Sequence, residues 1–184
     1  MLRFLAISGS LRSASSNSRL LQAAAALAPT GVDIVRYERL GSLPHFNPDV
    51  EAKALPAEVA ELRGLVAQSD AIIISSPEYA HGVPGSLKNA LDWLVSSVEF
   101  PGKPVALFNA SPTSTYVGDA LVEILTTMSA KVILEATVTL PLGARQLDVA
   151  GMLADEGVVT ALRAGLSALT VASRSGSGDE RASA

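Results

Sequence analysis

The chain of 184 residues has no cysteine, only two histidines and few aromatic residues: one tryptophan, three tyrosines and four phenylalanines. Without cysteine the protein cannot form disulfides, thiolate nucleophiles, iron–sulfur clusters or cysteine-ligated zinc sites. The two histidines, His45 and His81, leave little basis for a histidine site, so we predict no bound metal. Because rings are scarce, the core must be built mainly from Leu, Val, Ile and Ala.

Positive charge and long apolar runs are also scarce. The chain carries 14 basic and 18 acidic residues, a net charge of −4, so we expect no nucleic-acid partner, which would need a basic face. No apolar run approaches the ~20 residues that span a bilayer, so we expect no membrane association. The apolar stretch Met1–Ile7 is too short for a signal peptide. We therefore expect a cytoplasmic protein.

The sequence does contain a regular alternation of short apolar runs and helical patterns. The predicted strands are Leu2–Ile7, Val32–Tyr37, Ala71–Ser75, Val105–Asn109 and Val132–Thr139. The predicted helices are Asn17–Ala28, Pro56–Ser69, Ser86–Val98, Val117–Ala130 and Glu156–Ala172. Five such units predict an α/β three-layer sandwich with a five-stranded parallel sheet, for which the flavodoxin-like order 2-1-3-4-5 fits best.

The chain length suits a single domain, which we place at residues 1–172. Residues 173–184 contain only Ser, Gly, Ala and charged residues, a composition that predicts a disordered C-terminal tail. In a sheet of this kind ligands bind beyond the carboxyl ends of the strands. The loops after strands 1, 3 and 4 therefore decide the function.

The loop after the first strand is rich in hydrogen-bond donors. Residues 8–19 contain six serines, one asparagine and two arginines directly before and within the start of a predicted helix. Hydroxyls, a guanidinium and a helix N-terminus together suit a terminal phosphate. A capped helix after a serine-rich loop explains the same residues equally well. The loop matches neither the dinucleotide-binding fingerprint nor the Walker loop.

A hydrolase is a weaker alternative for this loop. Ser8-Gly9-Ser10-Leu11 is superficially close to the Gly-Asp-Ser-Leu context of some serine esterases. A serine nucleophile needs a histidine base, which those esterases supply near the C-terminus. Both histidines lie in the first half of this chain, which disfavours a hydrolase.

The loop after the third strand predicts a stiff, shaped turn. Two prolines and two glycines occur over nine residues, from Pro77 to Gly85. Such a backbone can read the polar edge of a flat aromatic ligand, and Tyr79 could line the slot.

Two long motifs in the loops after the first and third strands give the chain a specific resemblance to a known family. The first motif is Ile7-Ser8-Gly9-Ser10-Leu11-Arg12 with Ser15 and Asn17. The second is Ser76-Pro77-Glu78-Tyr79 followed by Val83-Pro84-Gly85-Ser86-Leu87-Lys88-Asn89-Ala90-Leu91-Asp92-Trp93. With these two motifs the chain resembles the NADPH-dependent FMN reductase family. That family includes quinone, chromate and azo-dye reductases on a flavodoxin-like fold. The resemblance in order and spacing covers residues 2–172.

The resemblance implies FMN as cofactor, NADPH or NADH as electron donor and a small-molecule electron acceptor. The residues implied to hold the FMN phosphate are Ser10, Arg12, Ser15, Ser16 and Asn17. Those implied to lie along the isoalloxazine are Pro77, Glu78, Tyr79 and Ala80, with Ser111 as a contact from the loop after strand 4. No catalytic side chain is implied, because flavin N5 takes the hydride. The family resemblance also implies a homodimer or homotetramer. Because the acceptor would replace the oxidised nicotinamide on the same flavin face, we expect ping-pong kinetics.

Two departures from the family pattern have consequences for the ring site. Position 80 is alanine where many relatives have asparagine, so only a backbone contact to the flavin remains there. The loop after strand 4 has fewer glycines than in many relatives, so either it lies farther from the flavin or Tyr116 covers part of it. For Glu78 we favour a structural role of the side chain. His81 is interpreted either as a substrate contact or as a solvated loop residue.

Two functions of other classes fit the same fold. A non-enzymatic FMN electron carrier of flavodoxin type would dock through a strongly acidic face, whereas no acidic cluster flanks the three loops. Steady NAD(P)H oxidation by the purified protein would exclude a carrier. A receiver-type signalling domain would need carboxylates where Ser8 and Ser75 end the first and third strands.

Overall fold

The protein forms one parallel sheet covered by helices on both faces. The structure, a computed structural model, describes residues 1–142 and 145–179. In chain order its strands and helices are β1 (Leu2–Ser8), α1 (Ser16–Ala26), β2 (Val32–Tyr37), α2 (Pro48–Glu51), α3 (Ala57–Ala67), β3 (Ala71–Ser75), α4 (Gly85–Leu94), β4 (Pro104–Asn109), α5 (Thr115–Thr127), β5 (Lys131–Val132), β6 (Val138–Thr139), α6 (Val149–Ala154) and α7 (Glu156–Asp179).

The strand order is β2-β1-β3-β4-β5, with β6 also pairing with β4, and every pair is parallel. The predicted α/β class and strand order are confirmed. β3 lies at the centre, and all five of its residues are buried, as expected for a strand covered on both faces. The carboxyl ends of β1, β3 and β4 therefore meet at one edge of the sheet, where the three loops begin.

The two faces of the sheet bury separate apolar cores. Phe4, Ala6 and Ile73 point to the face covered by α1 and α7. Leu5 and Ile72 point to the opposite face, covered by α3, α4 and α5. Because side chains alternate along a strand, the continuous apolar strands feed both cores at once.

The fifth predicted strand is wrong in detail. Instead of one strand over Val132–Thr139, the chain forms β5, a 3₁₀ turn at Leu134–Ala136 and then β6. Helix α7 packs tightly against this turn: a Cβ added at Gly165 would lie 2.4 Å from Val138 Cγ2 and 3.0 Å from the Ala136 carbonyl. The segment rejoins β4 beyond the turn, where the Leu140 N–H donates to the Asn109 carbonyl at 2.9 Å.

The C-terminal boundary also differs from the prediction. Helix α7 continues to Asp179, and Ser173 is buried within it, so the ordered fold runs past residue 172. Residues 180–184 of the predicted tail lie outside the described residues. Helices α2 and α6 were not predicted. In the part of the chain that the structure describes, no helix combines the length and apolar character needed to cross a bilayer.

Candidate functional site

The loop after β1 (the β1 loop, residues 9–15) presents its hydroxyls and a guanidinium at the start of α1. Ser15 caps the helix, and its Oγ accepts from the Ser18 N–H at 3.4 Å. Ser10 Oγ accepts from the Arg12 N–H at 3.3 Å, which folds the loop back on itself. Among the described residues, the Arg12 guanidinium makes neither a hydrogen bond nor an ion pair, and Arg12 is exposed. An unpaired cation beside a helix N-terminus suits an anion.

A cleft of about 420 Å³ opens beside this loop, on the side of β2. Ser10, Arg12 and Ser13 line one part of it, and Arg36 and Glu38 at the end of β2 line another. Arg36 is ion-paired to Glu38 at 2.7 Å, whereas Arg12 has no ion pair within the described part of the chain. The volume falls within the range of small-molecule sites, roughly 300–1,000 Å³.

The β1 loop is anchored to the end of β3. Ser75 Oγ donates to Asn17 Oδ1 at 2.9 Å, and both residues are buried. The Gly9 N–H donates to the Ser75 carbonyl at 2.8 Å. A Cβ at Gly9 would lie 2.7 Å from Ser76 Oγ and 2.9 Å from Leu87 Cδ2, so glycine is required for this approach. Asn17 was predicted to hold the phosphate, but its side-chain oxygen accepts the bond from Ser75 and so joins the start of α1 to the end of β3.

The loop after β3 (the β3 loop, residues 76–84) contains a tight turn at its tip. Tyr79 and Gly82 exchange two backbone hydrogen bonds of 3.1 and 3.0 Å. The two residues between them, Ala80 and His81, have φ angles of +49° and +56°. Two consecutive positive φ angles give the geometry of a type I′ turn, which favours Asn-Gly. The positive φ angles thus fall on residues with side chains and not on the glycines of this loop.

The β3 loop is joined to the start of α5 at two points. The Val117 N–H, in the first turn of α5, donates to Glu78 Oε2 at 3.1 Å. Ser114, which precedes the helix, provides no side-chain cap of its own, so Glu78 serves as the cap from another loop. This agrees with the structural role favoured for the Glu78 side chain. The rings of His81 and Tyr116 stack, with centroids 4.2 Å apart and planes 13° from parallel.

The loop after β4 (the β4 loop, residues 110–114) forms a second, smaller cleft. Ser111 lines a cleft of about 240 Å³ together with Asn109, Thr115 and Thr139, among others. Ser111 Oγ and Thr113 Oγ1 are 2.9 Å apart and hydrogen-bonded. Ser111 thus lies in a different cleft from Ser10 and Arg12.

The predicted residues therefore form a row along one edge of the sheet. Ser10, Arg12, Ser15, Ser16 and Asn17 lie at the β1 loop and the start of α1, Pro77, Glu78, Tyr79 and Ala80 lie on the β3 loop, and Ser111 lies on the β4 loop. The sequence reasoning missed Gly9, Arg36 and the Ser8–Ser18 hydroxyl pair, whose oxygens are 2.9 Å apart. The predicted strand order was a usable signal for Arg36, because it places the end of β2 beside that of β1.

One buried phenol borders the larger cleft. Burial, with a smaller contribution from the nearby Glu61 carboxylate, raises the pKa of Tyr37 to about 12. Its hydroxyl has no hydrogen-bond partner among the described residues. Tyr37 is therefore neutral at physiological pH and cannot give up a proton there.

A family model for NADPH-dependent FMN reductases matches residues 2–145, well over half of the chain. The chain belongs to this family. The match includes all three loops, and the motifs behind the resemblance lie on the β1 loop, the β3 loop and α4.

Relatives of this reductase family agree in sequence and in fold. The chain is 41% identical over 112 residues to an NAD(P)H-dependent FMN reductase of Pseudomonas aeruginosa and 34% identical over 113 residues to a quinone reductase of Escherichia coli K12. Each match covers 60% of this chain and 60% of the relative, so the chain spans about three fifths of the curated relatives it matches.

Among solved structures, FerB from Paracoccus denitrificans, a flavoenzyme NAD(P)H:(acceptor) oxidoreductase, superposes with a TM-score of 0.84 at 26% identity, covering 95% of this chain and 98% of FerB. An NADH:FMN oxidoreductase in its apo form superposes with a TM-score of 0.66 at 22% identity, covering 95% of this chain and 90% of that one. The similarity to this NADH:FMN oxidoreductase concerns the fold alone.

Proposed function

We propose that this protein is an NAD(P)H-dependent FMN oxidoreductase that reduces small acceptors of quinone type. The observation that carries the proposal is the Arg12 guanidinium, which has no partner among the described residues and lies with serine hydroxyls in the loop before α1. This donor set fits a phosphate monoester, because three phosphate oxygens need several donors and a positive charge. Membership of the family and the described activities of its relatives support the same choice.

The three loops bind different parts of FMN. Ser10, Arg12, Ser15 and Ser16 hold the phosphate, together with the amide nitrogen of Asn17, whose oxygen is already bonded to Ser75. The β3 loop lies along the ring system, with the backbone of residues 77–80 facing it. Tyr79 is 51% exposed and is available to contact a planar ligand. Ser111 supplies a contact from the β4 loop.

Bound FMN would supply a hydride acceptor for NAD(P)H and an electron donor for the acceptor, and the residues of the three loops would bind and orient it. We expect donor and acceptor to use the same open edge of the sheet in turn, which gives ping-pong kinetics. We also propose that the protein is cytoplasmic and assembles as a homodimer or homotetramer, as the resemblance implies. Light scattering during size-exclusion chromatography tests the assembly.

The deciding experiment is a flavin titration of the purified protein followed by turnover. We expect one FMN to bind per chain, its visible absorption band to be bleached by NADPH, and quinone to restore the band. A protein that binds no FMN contradicts the proposal. A protein that binds FMN but oxidises neither NADPH nor NADH is an electron carrier and not a reductase.

A further inference from the structure

Two exposed aromatic rings from separate loops stack on each other at the candidate site. His81 belongs to the turn of the β3 loop, and Tyr116 is the second residue of α5. Their ring centroids are 4.2 Å apart, and their planes deviate by only 13°. Tyr116 is 54% exposed, and His81 is exposed as well. The contact therefore buries little surface and lies outside both apolar cores.

The same two segments share a second contact close by. Glu78, three residues before His81, accepts the N–H of Val117, the residue after Tyr116, at 3.1 Å. One bond alone would let the turn pivot about it. A second contact at the tip of the turn fixes both the distance and the angle between the β3 loop and α5.

The backbone at the tip is held in a conformation that its residues do not favour. Ala80 and His81 both lie in the left-handed region, at φ +49° and +56°. That region costs roughly 1–2 kcal/mol for a residue with a side chain, and such strain persists only where surrounding contacts impose it. At this tip, the ring of His81 stacks on Tyr116 of another segment, which is a contact that can impose the strained conformation.

We propose that His81 and Tyr116 form an aromatic clamp that sets the spacing between the β3 loop and the start of α5, and thereby holds the isoalloxazine end of FMN. This inference rests on the proposed function. Both are positioning residues, because they act through the β3 loop and its Tyr79. The clamp joins the β3 loop to α5, whereas Arg12 and the phosphate donors lie on the β1 loop and at the start of α1. Removal of either ring of the clamp should therefore weaken binding of the flavin ring system and leave the phosphate contacts intact.

The test compares FMN with riboflavin, which has the same ring system and no phosphate. Tyr116→Ala should weaken binding of both flavins by the same factor, about two- to tenfold, the range expected for one aromatic pair. Tyr116→Phe keeps the ring and should bind both flavins as the wild type does. His81→Asn removes the other ring while retaining a residue that tolerates positive φ, and it should reproduce the Tyr116→Ala effect. The double variant should be no worse than either single variant.

Three outcomes overturn the clamp. These are wild-type affinity of Tyr116→Ala for both flavins, weaker binding of FMN alone by Tyr116→Ala, and additive losses of affinity when Tyr116→Ala is combined with His81→Asn. The first means that the stack is irrelevant to the flavin, the second places Tyr116 at the phosphate end, and the third means that the rings act independently.

A readout in the flavin-free protein separates this inference from the proposed function. If the clamp holds the turn, hydrogen exchange at the Tyr79 and Gly82 amides should be faster in Tyr116→Ala than in Tyr116→Phe. Equal exchange in the two variants overturns the clamp, whatever flavin does. A wild-type protein that binds neither flavin overturns the proposed function and with it the role of the clamp in flavin binding.

Discussion

The β1 loop is shaped mostly by its own sequence, whereas the β3 loop depends on residues far along the chain. Within the β1 loop and the start of α1, Ser10 and Ser15 accept hydrogen bonds from residues two and three positions away. In the β3 loop, Glu78 bonds to Val117, 39 positions away, and His81 stacks on Tyr116. The caps of the first loop can therefore form from local chemistry, and its anchors to Ser75 need only the neighbouring strand β3, but the second loop needs α5 in place.

The difference suggests a division of labour. The β1 loop offers free donors, which suit a charged group, and the β3 loop offers a fixed backbone, which suits a flat ring. Four substitutions test whether the two loops act as separate units, and we take them from the largest expected effect to the smallest.

The largest effect is expected at Arg12. Arg12→Ala should weaken FMN binding by about 1.5–3 kcal/mol, the value of a hydrogen bond to a charged group, because a phosphate contact is lost. Riboflavin binding should not change, since riboflavin has no phosphate. Flavin fluorescence titrations measure both. Arg39→Ala is the matched control, because Arg39 is an exposed arginine that is paired with Glu61 and does not itself line the cleft. Unchanged FMN affinity in Arg12→Ala would show that the β1 loop is not the phosphate site.

Gly9 joins the two loops, and its replacement should destabilise the fold. Gly9→Ala places a methyl group against buried Ser76 and Leu87, which should lower the free energy of unfolding by about 1–3 kcal/mol. Gly64→Ala in α3 meets nothing within 4 Å and should raise stability by about 0.5–1 kcal/mol. Urea unfolding measures both. Equal stability of the two variants would mean that the loops do not need to approach so closely.

Removal of the long-range cap should have a moderate effect confined to the ring end. Glu78→Ala should lower the free energy of unfolding by about 1 kcal/mol, because the Val117 N–H loses its acceptor. Glu78→Gln keeps an acceptor oxygen without the charge and should recover part of the loss. Thermal unfolding of the two variants gives the comparison. A Gln variant as unstable as the Ala variant would show that the charge, not the acceptor, matters.

The smallest effect is expected at the strained turn. Ala80→Asn should raise the free energy of unfolding by about 0.5 kcal/mol, because asparagine tolerates the positive φ at this position better than alanine does. Ala80→Val should have the opposite sign, since a β-branched residue is poorly accommodated there. Urea unfolding is again suitable. If both variants were less stable than the wild type, the turn would not be the source of strain.

Much of the fold was predictable because the apolar pattern carries it. Strands β2 and β3 have the predicted bounds, since each is a short run bounded by turn residues. The predicted strand over Val132–Thr139 failed because the run is rich in β-branched residues and contains neither Gly nor Pro, so nothing local marks a 3₁₀ turn inside it. That turn is packed against Gly165, a residue 29 positions beyond Ala136. Helix α7 continues past residue 172 to Asp179, through small and polar residues that composition alone assigns to a tail.

The candidate site likewise contains some residues that the sequence identifies and some contacts that it does not. Ser10, Arg12 and Ser15 were identifiable, because donors clustered before a helix are a local signal. The cap from Glu78 to Val117 and the stacking of His81 on Tyr116 had no such signal, because each joins two loops that come together only when β3 and β4 pair.

The sequence by itself determined the α/β class, the strand order and the residues that offer hydrogen bonds to an anion, because periodicity and helix-start chemistry act over a few residues. Only the tertiary structure decided that Asn17 reaches Ser75, that Gly9 must lack a side chain, and that two loops are joined by a carboxylate and a pair of rings. Contacts between segments tens of residues apart depend on how the strands are arranged in space, and no pattern within either segment specifies them.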